Sequence, residues 1–182
     1  MPTDARRKMI ESAVTLLAMR GLQGTAFSDV LERSGAPRGS IYHHFPQGKD
    51  QLIDAAIDLA GERTLHVLDA VEGASPTAIT TYFLDLWREV LVRSNFRAGC
   101  SVLAVTVATD SPALLEHATA IFRAWQARLA DLYVAAGVDP GMASSFATML
   151  IAASEGAVVL SRAQRSLEPF DQVAARLIDT TP

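Results

Sequence analysis

A chain of 182 residues with 49% apolar side chains can bury a sizeable core, and its length fits one large domain or two small ones. Its single cysteine excludes an intrachain disulfide, and its start has no basic segment followed by an apolar stretch of about 7 to 15 residues, so a cytoplasmic protein is expected. The net charge of −4 speaks on average against a nucleic-acid binder. Yet residues 1–50 carry seven Lys/Arg against five Asp/Glu, about +2, and the remainder nine against fifteen, about −6. That polarity suits a DNA-contacting head on an acidic body.

Apolar residues recur at helical spacing along nearly the whole chain and no run alternates as a strand does, so the predicted fold is all-α with about nine helices. The first helix starts at Thr3 or Asp4, either a good N-cap, and runs to Arg20, with Ile10, Val14 and Leu17 on one face and Gly21 as its stop. A second covers about 27–33 and ends at Ser34-Gly35. Pro37 then takes the favoured first-turn position of a short third helix, about 37–44, which Phe45-Pro46-Gln47-Gly48 breaks. Lys49 opens a fourth helix reaching about Val71. After a break at 73–76 the fifth carries Ile79, Phe83, Leu86, Trp87 and Val90 as one buried stripe, and a loop at 94–99 closes it. The sixth spans about 101–108. Asp110-Ser111-Pro112 announces the seventh, with Leu115, Ala118, Phe122, Trp125 and Leu129 inward, and a break at 137–141 ends it. The eighth spans about 142–165 and the ninth about 169–179. Residues 142–160 are apolar enough to suggest a membrane span, but Glu155 and several Ser and Thr lie inside, and a carboxylate near a bilayer centre costs about 2.5–3.5 kcal/mol. A helix buried between protein surfaces is the expectation, with no membrane partner.

The second and third helices with their glycine turn have the dimensions of a helix-turn-helix, whose second helix enters the major groove. Such helix pairs are common, so the chemistry of the third carries the argument. At about 100° per residue, Ile41 and Phe45 share the buried face. Gly39 and His43 point the opposite way, Ser40 and Tyr42 flank them, and Arg38 and His44 lie nearer the core edge. None of these is acidic. A glycine inside a helix costs about 1 kcal/mol relative to alanine, so something must approach its backbone closely. DNA would do so: Arg38 matches guanine O6 and N7, and Tyr42, His43 and Lys49 can donate to phosphates. From these residues alone, a solvated polar face with an exposed glycine remains the alternative.

The stretch from Gly21 to Leu52, above all Ser34-Gly-Ala-Pro-Arg-Gly-Ser-Ile-Tyr-His-His-Phe-Pro-Gln-Gly-Lys49, resembles the DNA-binding head of TetR-family repressors. Its Ala-Pro-basic-Gly-Ser and Phe-Pro-x-Gly-Lys versions, with Gly99-Cys100 before a small apolar helix, look like the LmrA branch, and a weaker likeness reaches Ala163-Gln-Arg-Ser-Leu-Glu-Pro169. The resemblance implies DNA contacts from Thr25, Arg38, Gly39, Ser40, Tyr42, His43, His44 and Lys49, although position 43 varies in type among relatives. It implies a helix-turn-helix DNA-binding domain at 1–48, linked by the fourth helix to an effector-binding and dimerisation domain at 49–182. The function implied is a sequence-specific transcriptional repressor, released from operator DNA by a small apolar or aromatic effector. Ala26 stands where many relatives place a capping hydroxyl, so Thr25 or Ser28 is expected to cap the second helix.

Helix-turn-helix proteins present two heads about 34 to 36 Å apart, which makes a homodimer on an inverted-repeat operator the expected partner arrangement. Ala153, Gly156, Ala157 and Leu160 form one small-residue seam and Val173, Leu177 and Ile178 a second, the candidates for the dimer interface. The alternative is that they face the protomer's own core. Aromatic residues gather in the body, at Tyr82, Phe83, Trp87, Phe96, Phe122, Trp125, Tyr133 and Phe146, and stripes at this spacing are more often core than pocket. The resemblance implies an effector pocket there, lined by Phe83, Trp87, Leu103, Phe122, Trp125, Phe146 and Met149, with His66 and Glu155 as polar anchors. The fourth helix, joining head to body and passing His66, is the expected relay.

An enzyme is the main rival class, and its parts are missing from the sequence. His43 and His44 diverge on a helix, His66 and His117 stand apart, and there is no Cys-x-x-Cys, His-Glu-x-x-His, Walker loop, Gly-x-Gly-x-x-Gly or Gly-x-Ser-x-Gly. Cys100 reads as a small buried hydrophobe. No catalytic residue, metal or cofactor is expected. The remaining rival is a helical small-molecule-binding or interaction protein without DNA binding, which salt-dependent duplex binding would separate from the first reading.

Overall fold

The computed structural model describes the backbone of residues 2–182 and the side chains of residues 4–182. Among them are nine α-helices and no strand: α1 (Pro2–Arg20), α2 (Phe27–Ser34), α3 (Ser40–His44), α4 (Lys49–Leu68), α5 (Pro76–Arg93), α6 (Ser101–Thr106), α7 (Pro112–Ala135), α8 (Pro140–Gln164) and α9 (Glu168–Asp179). They form two compact units, one of Met1–Arg63 with Cys100–Ile121 and one of Thr64–Gly99 with Phe122–Pro182.

In the first unit α1 packs on α2, α3 and α6. Its exposed face is laced by Lys8–Asp4 at 2.8 Å and Arg7–Glu11 at 3.7 Å, pairs at i,i+4 spacing that stabilise a helix by a few tenths of a kcal/mol each. Its buried face carries Met9, Ala13, Leu16 and Leu17, which meet a core shared by Val30, Ile41, Phe45, Leu52, Ile53 and Ile57. Phe45, fully enclosed just past α3, contributes about 2–3 kcal/mol of apolar burial and anchors the end of that short helix. Gly61 on α4 faces Ile121 on α7, where a Cβ would lie 3.0 Å from the isoleucine side chain. A turn or two back along each helix, His117 Nδ1 bonds Asp54 at 2.5 Å and its Nε2 approaches Asp58 at 3.6 Å.

In the second unit α5 packs on α8 and α9, and α8 on α9. Ser75 caps α5 by accepting from the Ala78 N–H at 3.3 Å, and Asp139 caps α8 by accepting from the Gly141 and Met142 N–H groups. The Tyr133 hydroxyl meets Thr80 Oγ1 at 2.7 Å in the interior, and Thr181 donates to that same oxygen at 3.1 Å. Burial pushes the Tyr133 phenol up to about 12, against the Thr80 hydrogen bond, which pulls it down. The turn after α5 places Asn95 and Phe96 in the left-handed region, and Arg162 of α8 fastens it by donating to the Arg97 carbonyl at 3.0 Å.

Several boundaries and faces differ from expectation. Thr3 and Asp4 lie within α1 rather than capping it; the Thr3 side chain lies outside the described residues. The third helix starts at Ser40, not Pro37, because Pro37 opens a turn that the Ser40 N–H closes on the Pro37 carbonyl at 2.9 Å. Helix α4 ends at Leu68 and tightens into a 3₁₀ turn at Asp69–Val71. Helix α6 stops at Thr106, and α8 begins two residues earlier than expected, at Pro140 behind the Asp139 cap. On α7 the buried stripe is Leu114, Ala118, Ile121, Trp125, Leu129 and Leu132. Leu115 is exposed there and Phe122 half-buried, an offset of one residue near the N-terminal end of the helix.

Candidate nucleic-acid interface

The helix-turn-helix is α2, the 35–39 turn and α3. No side chain of Ala26 can cap α2; instead the Asp29 carboxylate reaches back and accepts from the Ala26 N–H at 3.3 Å. Only this half of a capping box exists, and neither Thr25 nor Ser28 supplies the cap. Arg20 holds Asp29 in turn at 3.4 Å. Gly35 then ends α2 in a left-handed conformation, φ 67°, that glycine adopts without penalty, and its N–H returns to the Leu31 carbonyl.

The outward surface of α3 is built from four exposed residues, Arg38, Gly39, Tyr42 and His43. Tyr42 is 68% exposed, and its ring stands edge-on to Phe27 at 5.8 Å, which fixes the direction of the phenol. Gly39 is the N-cap of α3 and not an interior residue, with an ordinary φ of −71°. The helix-interior cost assigned to it from sequence does not apply. A Cβ at Gly39 would meet nothing within 4 Å, so neither backbone conformation nor any protein neighbour requires a glycine there.

The other four expected contacts are more enclosed. Ser40 and His44 are half-buried, and the Ser40 hydroxyl donates to the Pro37 carbonyl at 2.6 Å. Lys49 is half-buried, with its ammonium donating to the Leu22 carbonyl at 2.9 Å. Thr25 is buried, its hydroxyl donating to the Gly21 carbonyl at 2.8 Å and its N–H to Leu22. Its side chain therefore holds the α1–α2 turn instead of facing outward. Sequence reasoning passed over three supports: Phe27 under Tyr42, Asp29 at the start of α2, and Arg6, whose guanidinium lies 5.4 Å from the Phe45 ring. Of these only Asp29 had a readable signal, an acid three residues past the N-cap.

Among the residues expected to line a pocket, Phe83, Trp125, Phe146 and Glu155 are buried and Trp87, Leu103 and Phe122 half-buried. Phe122 stands edge-on to Trp125 at 5.3 Å, and Phe146 to Tyr133 at 5.4 Å. Met149 and His66 lie instead on exposed faces of α8 and α4. The expected dimer seams divide in the same way. Ala157 and Leu177 are buried in the protomer's own core, Ala153 and Val173 are half-buried, and Gly156 and Leu160 are exposed. With Met142, Met149, Ala152 and Val159, the last two make an exposed apolar stripe along α8. That helix is long and apolar enough to cross a membrane, and half of its most apolar window is buried against the rest of the chain.

A short helix bearing tyrosine and histidine outward, set on a glycine turn that carries an exposed arginine, defines a helix-turn-helix DNA-binding protein. Two family models match this chain: bacterial regulatory proteins of the tetR family over residues 9–63, and the C-terminal domain of LmrA/YxaF-like transcriptional regulators over residues 76–176. The chain is 37% identical over 179 residues to the HTH-type transcriptional regulator Rv0196 of Mycobacterium tuberculosis, covering 94% of this chain and 91% of that one. It is 25% identical over 180 residues to the HTH-type transcriptional regulator LmrA of Bacillus subtilis, covering 97% and 96%. A TetR transcriptional regulator from Chloroflexus aurantiacus superposes with a TM-score of 0.80 at 28% identity, over 98% of this chain and 94% of that one. The chain belongs to the TetR family of transcriptional regulators, with an LmrA/YxaF-like C-terminal domain, and is not an enzyme.

Proposed function

We propose that the chain is a homodimeric, cytoplasmic repressor that occupies an inverted-repeat operator and leaves it when a small apolar or aromatic effector binds its C-terminal domain. The observation that carries the DNA reading is the α3 face, where Arg38, Tyr42 and His43 surround a glycine that nothing in the protein requires. Arg38 reads a guanine edge, Tyr42, His43 and Lys49 donate to phosphates, and Gly39 lets the DNA come close. Ser40 and His44 border this surface, and Thr25 holds the α1–α2 turn. The head proper is 1–48, with α4 leading from it into the domain at 49–182.

A second copy seated on the exposed α8 stripe, with Gly156 and Leu160 toward its C-terminal end, would bring two heads to one operator. Repression follows from occupancy, and release needs only an effector that prefers a conformation with lower operator affinity. The aromatic residues of the C-terminal domain, Phe83, Trp87, Phe122, Trp125 and Phe146, suit a flat or greasy effector, with Glu155 as the polar group among them. Selection of tight-binding duplexes from a random pool tests the reading. An enriched inverted repeat, bound with a steep salt dependence, supports head and dimer together; no enrichment at modest salt removes the claim.

A further inference from the structure

We infer that the N-terminal unit carries a second polar site, separate from the α3 face, that takes an oxyanion of the phosphate class. It is a pocket of about 520 Å³ between the first half of α1 and the last turn of α2, lined by Lys8, Glu11, Ser12, Thr15, Arg33 and Ser34. Ser12 is the informative member. It is only 6% exposed, and its hydroxyl has no hydrogen-bond partner among the described residues, which leaves it to whatever enters the pocket. The neighbouring hydroxyls are already committed: Thr15 donates to the Glu11 carbonyl at 3.0 Å, and Ser34 donates to the Leu31 carbonyl while accepting from the Ala36 N–H.

The charges around the pocket favour an anion. Arg33 is exposed and pairs with no carboxylate among the described residues. Lys8 holds Asp4 at 2.8 Å, which uses one of its three N–H donors. Glu11, the carboxylate in the lining, is taken by Arg63 at 3.1 Å and Arg7 at 3.7 Å. The lining thus holds two cations, Lys8 and Arg33, against one carboxylate, Glu11, whose charge Arg63 and Arg7 offset. The Arg33 guanidinium from α2, facing the Lys8 ammonium and the unpartnered Ser12 hydroxyl one turn apart on α1, suits the several oxygens of a phosphate. That phosphate is either one of a DNA backbone or one carried by a free phosphorylated molecule.

Titration of the full-length protein with inorganic phosphate, against chloride at matched ionic strength, tests the site. Wild type should bind saturably, Arg33→Gln should weaken binding about tenfold, and Ser12→Ala should weaken it several-fold, with thermal melts showing all three folded. No saturable binding to wild type, or wild-type affinity in both variants, overturns the site. A second arm identifies the source and rests on the operator reading above. If a duplex supplies the phosphate, Arg33→Gln lowers the salt slope of operator binding by about 0.9 for each DNA phosphate that the guanidinium had neutralised. If a free molecule supplies it, the slope stays unchanged while phosphate binding falls. Arg38→Ala should leave phosphate binding intact, so failure of the operator reading does not count against the pocket.

Discussion

The ammonium of Lys49, at the first residue of α4, donates to the carbonyl of Leu22 in the turn after α1 across 2.9 Å, so one side chain ties together two segments 27 residues apart. Two of its three donors remain for a phosphate. Lys49→Ala should therefore show two separable effects. Operator affinity falls alike for all sequences, and the urea midpoint falls by an amount corresponding to about 1.5 kcal/mol, the usual worth of a hydrogen bond to a charged group. Unchanged urea melts with weakened binding would leave Lys49 a DNA contact only.

Gly39 separates the demands of the fold from the demands of the ligand. Because a Cβ there meets nothing, Gly39→Ala should fold with a loss of less than about 1 kcal/mol, yet bind operator about tenfold more weakly. Arg38→Ala should cost about 1–3 kcal/mol in operator binding and also relax the base preference in a fresh duplex selection. An Arg38→Ala protein that selects the wild-type sequence would show that Arg38 reads no base.

The helical order of the chain was legible because apolar spacing and glycine or proline breaks report on backbone locally. What lay beyond reach depended on tertiary choices. Periodicity placed a stripe on α7, yet Leu114 and Leu115 are interchangeable to a pattern, and only the packed helix selects Leu114. Pro37 is favoured in the first turn of a helix, but it is equally at home in the turn before one, and the Ser40 hydrogen bonds to its carbonyl decide the matter. In the candidate interface, helical spacing turned His43 outward with Tyr42 beside it but set Arg38 nearer the core edge, whereas Arg38 precedes α3 and is exposed. The same reasoning could not see that Thr25 turns inward to Gly21, because a threonine hydroxyl serves a turn as readily as a phosphate.

Burial of the Tyr133 phenol makes stability depend on alkaline pH, with a fixed sign. Burial raises the phenol from 10.0 to about 12 in the folded protein, so the folded state holds its proton more tightly than the unfolded state does. The contribution is complete below pH 10 and is lost as pH rises through 12. The stability lost across that alkaline range is on the order of 2–3 kcal/mol. Urea melts at stepped alkaline pH should show a steeper decline for wild type than for Tyr133→Phe, which at neutral pH costs about 1 kcal/mol for the missing hydrogen bond. Parallel declines would mean that Tyr133 does not titrate in the folded state.

On α8, residues 157 and 160 stand three apart and face opposite environments, and this allows assembly to be tested apart from folding. Ala157 is 2% exposed within the protomer, whereas Leu160 is 51% exposed on the apolar stripe. Ala157→Glu forces a carboxylate into a packed core and should abolish cooperative unfolding, since an unpaired buried charge costs more than most domains can spare. Leu160→Glu puts the same charge on a surface that is open in a single protomer, so the protomer should keep its fold. If a second copy covers that stripe, Leu160→Glu leaves a folded monomer by sedimentation, and its operator affinity drops to that of one head on one half-site. A Leu160→Glu protein that still sediments as a dimer and binds the whole operator as wild type does would place the dimer interface elsewhere.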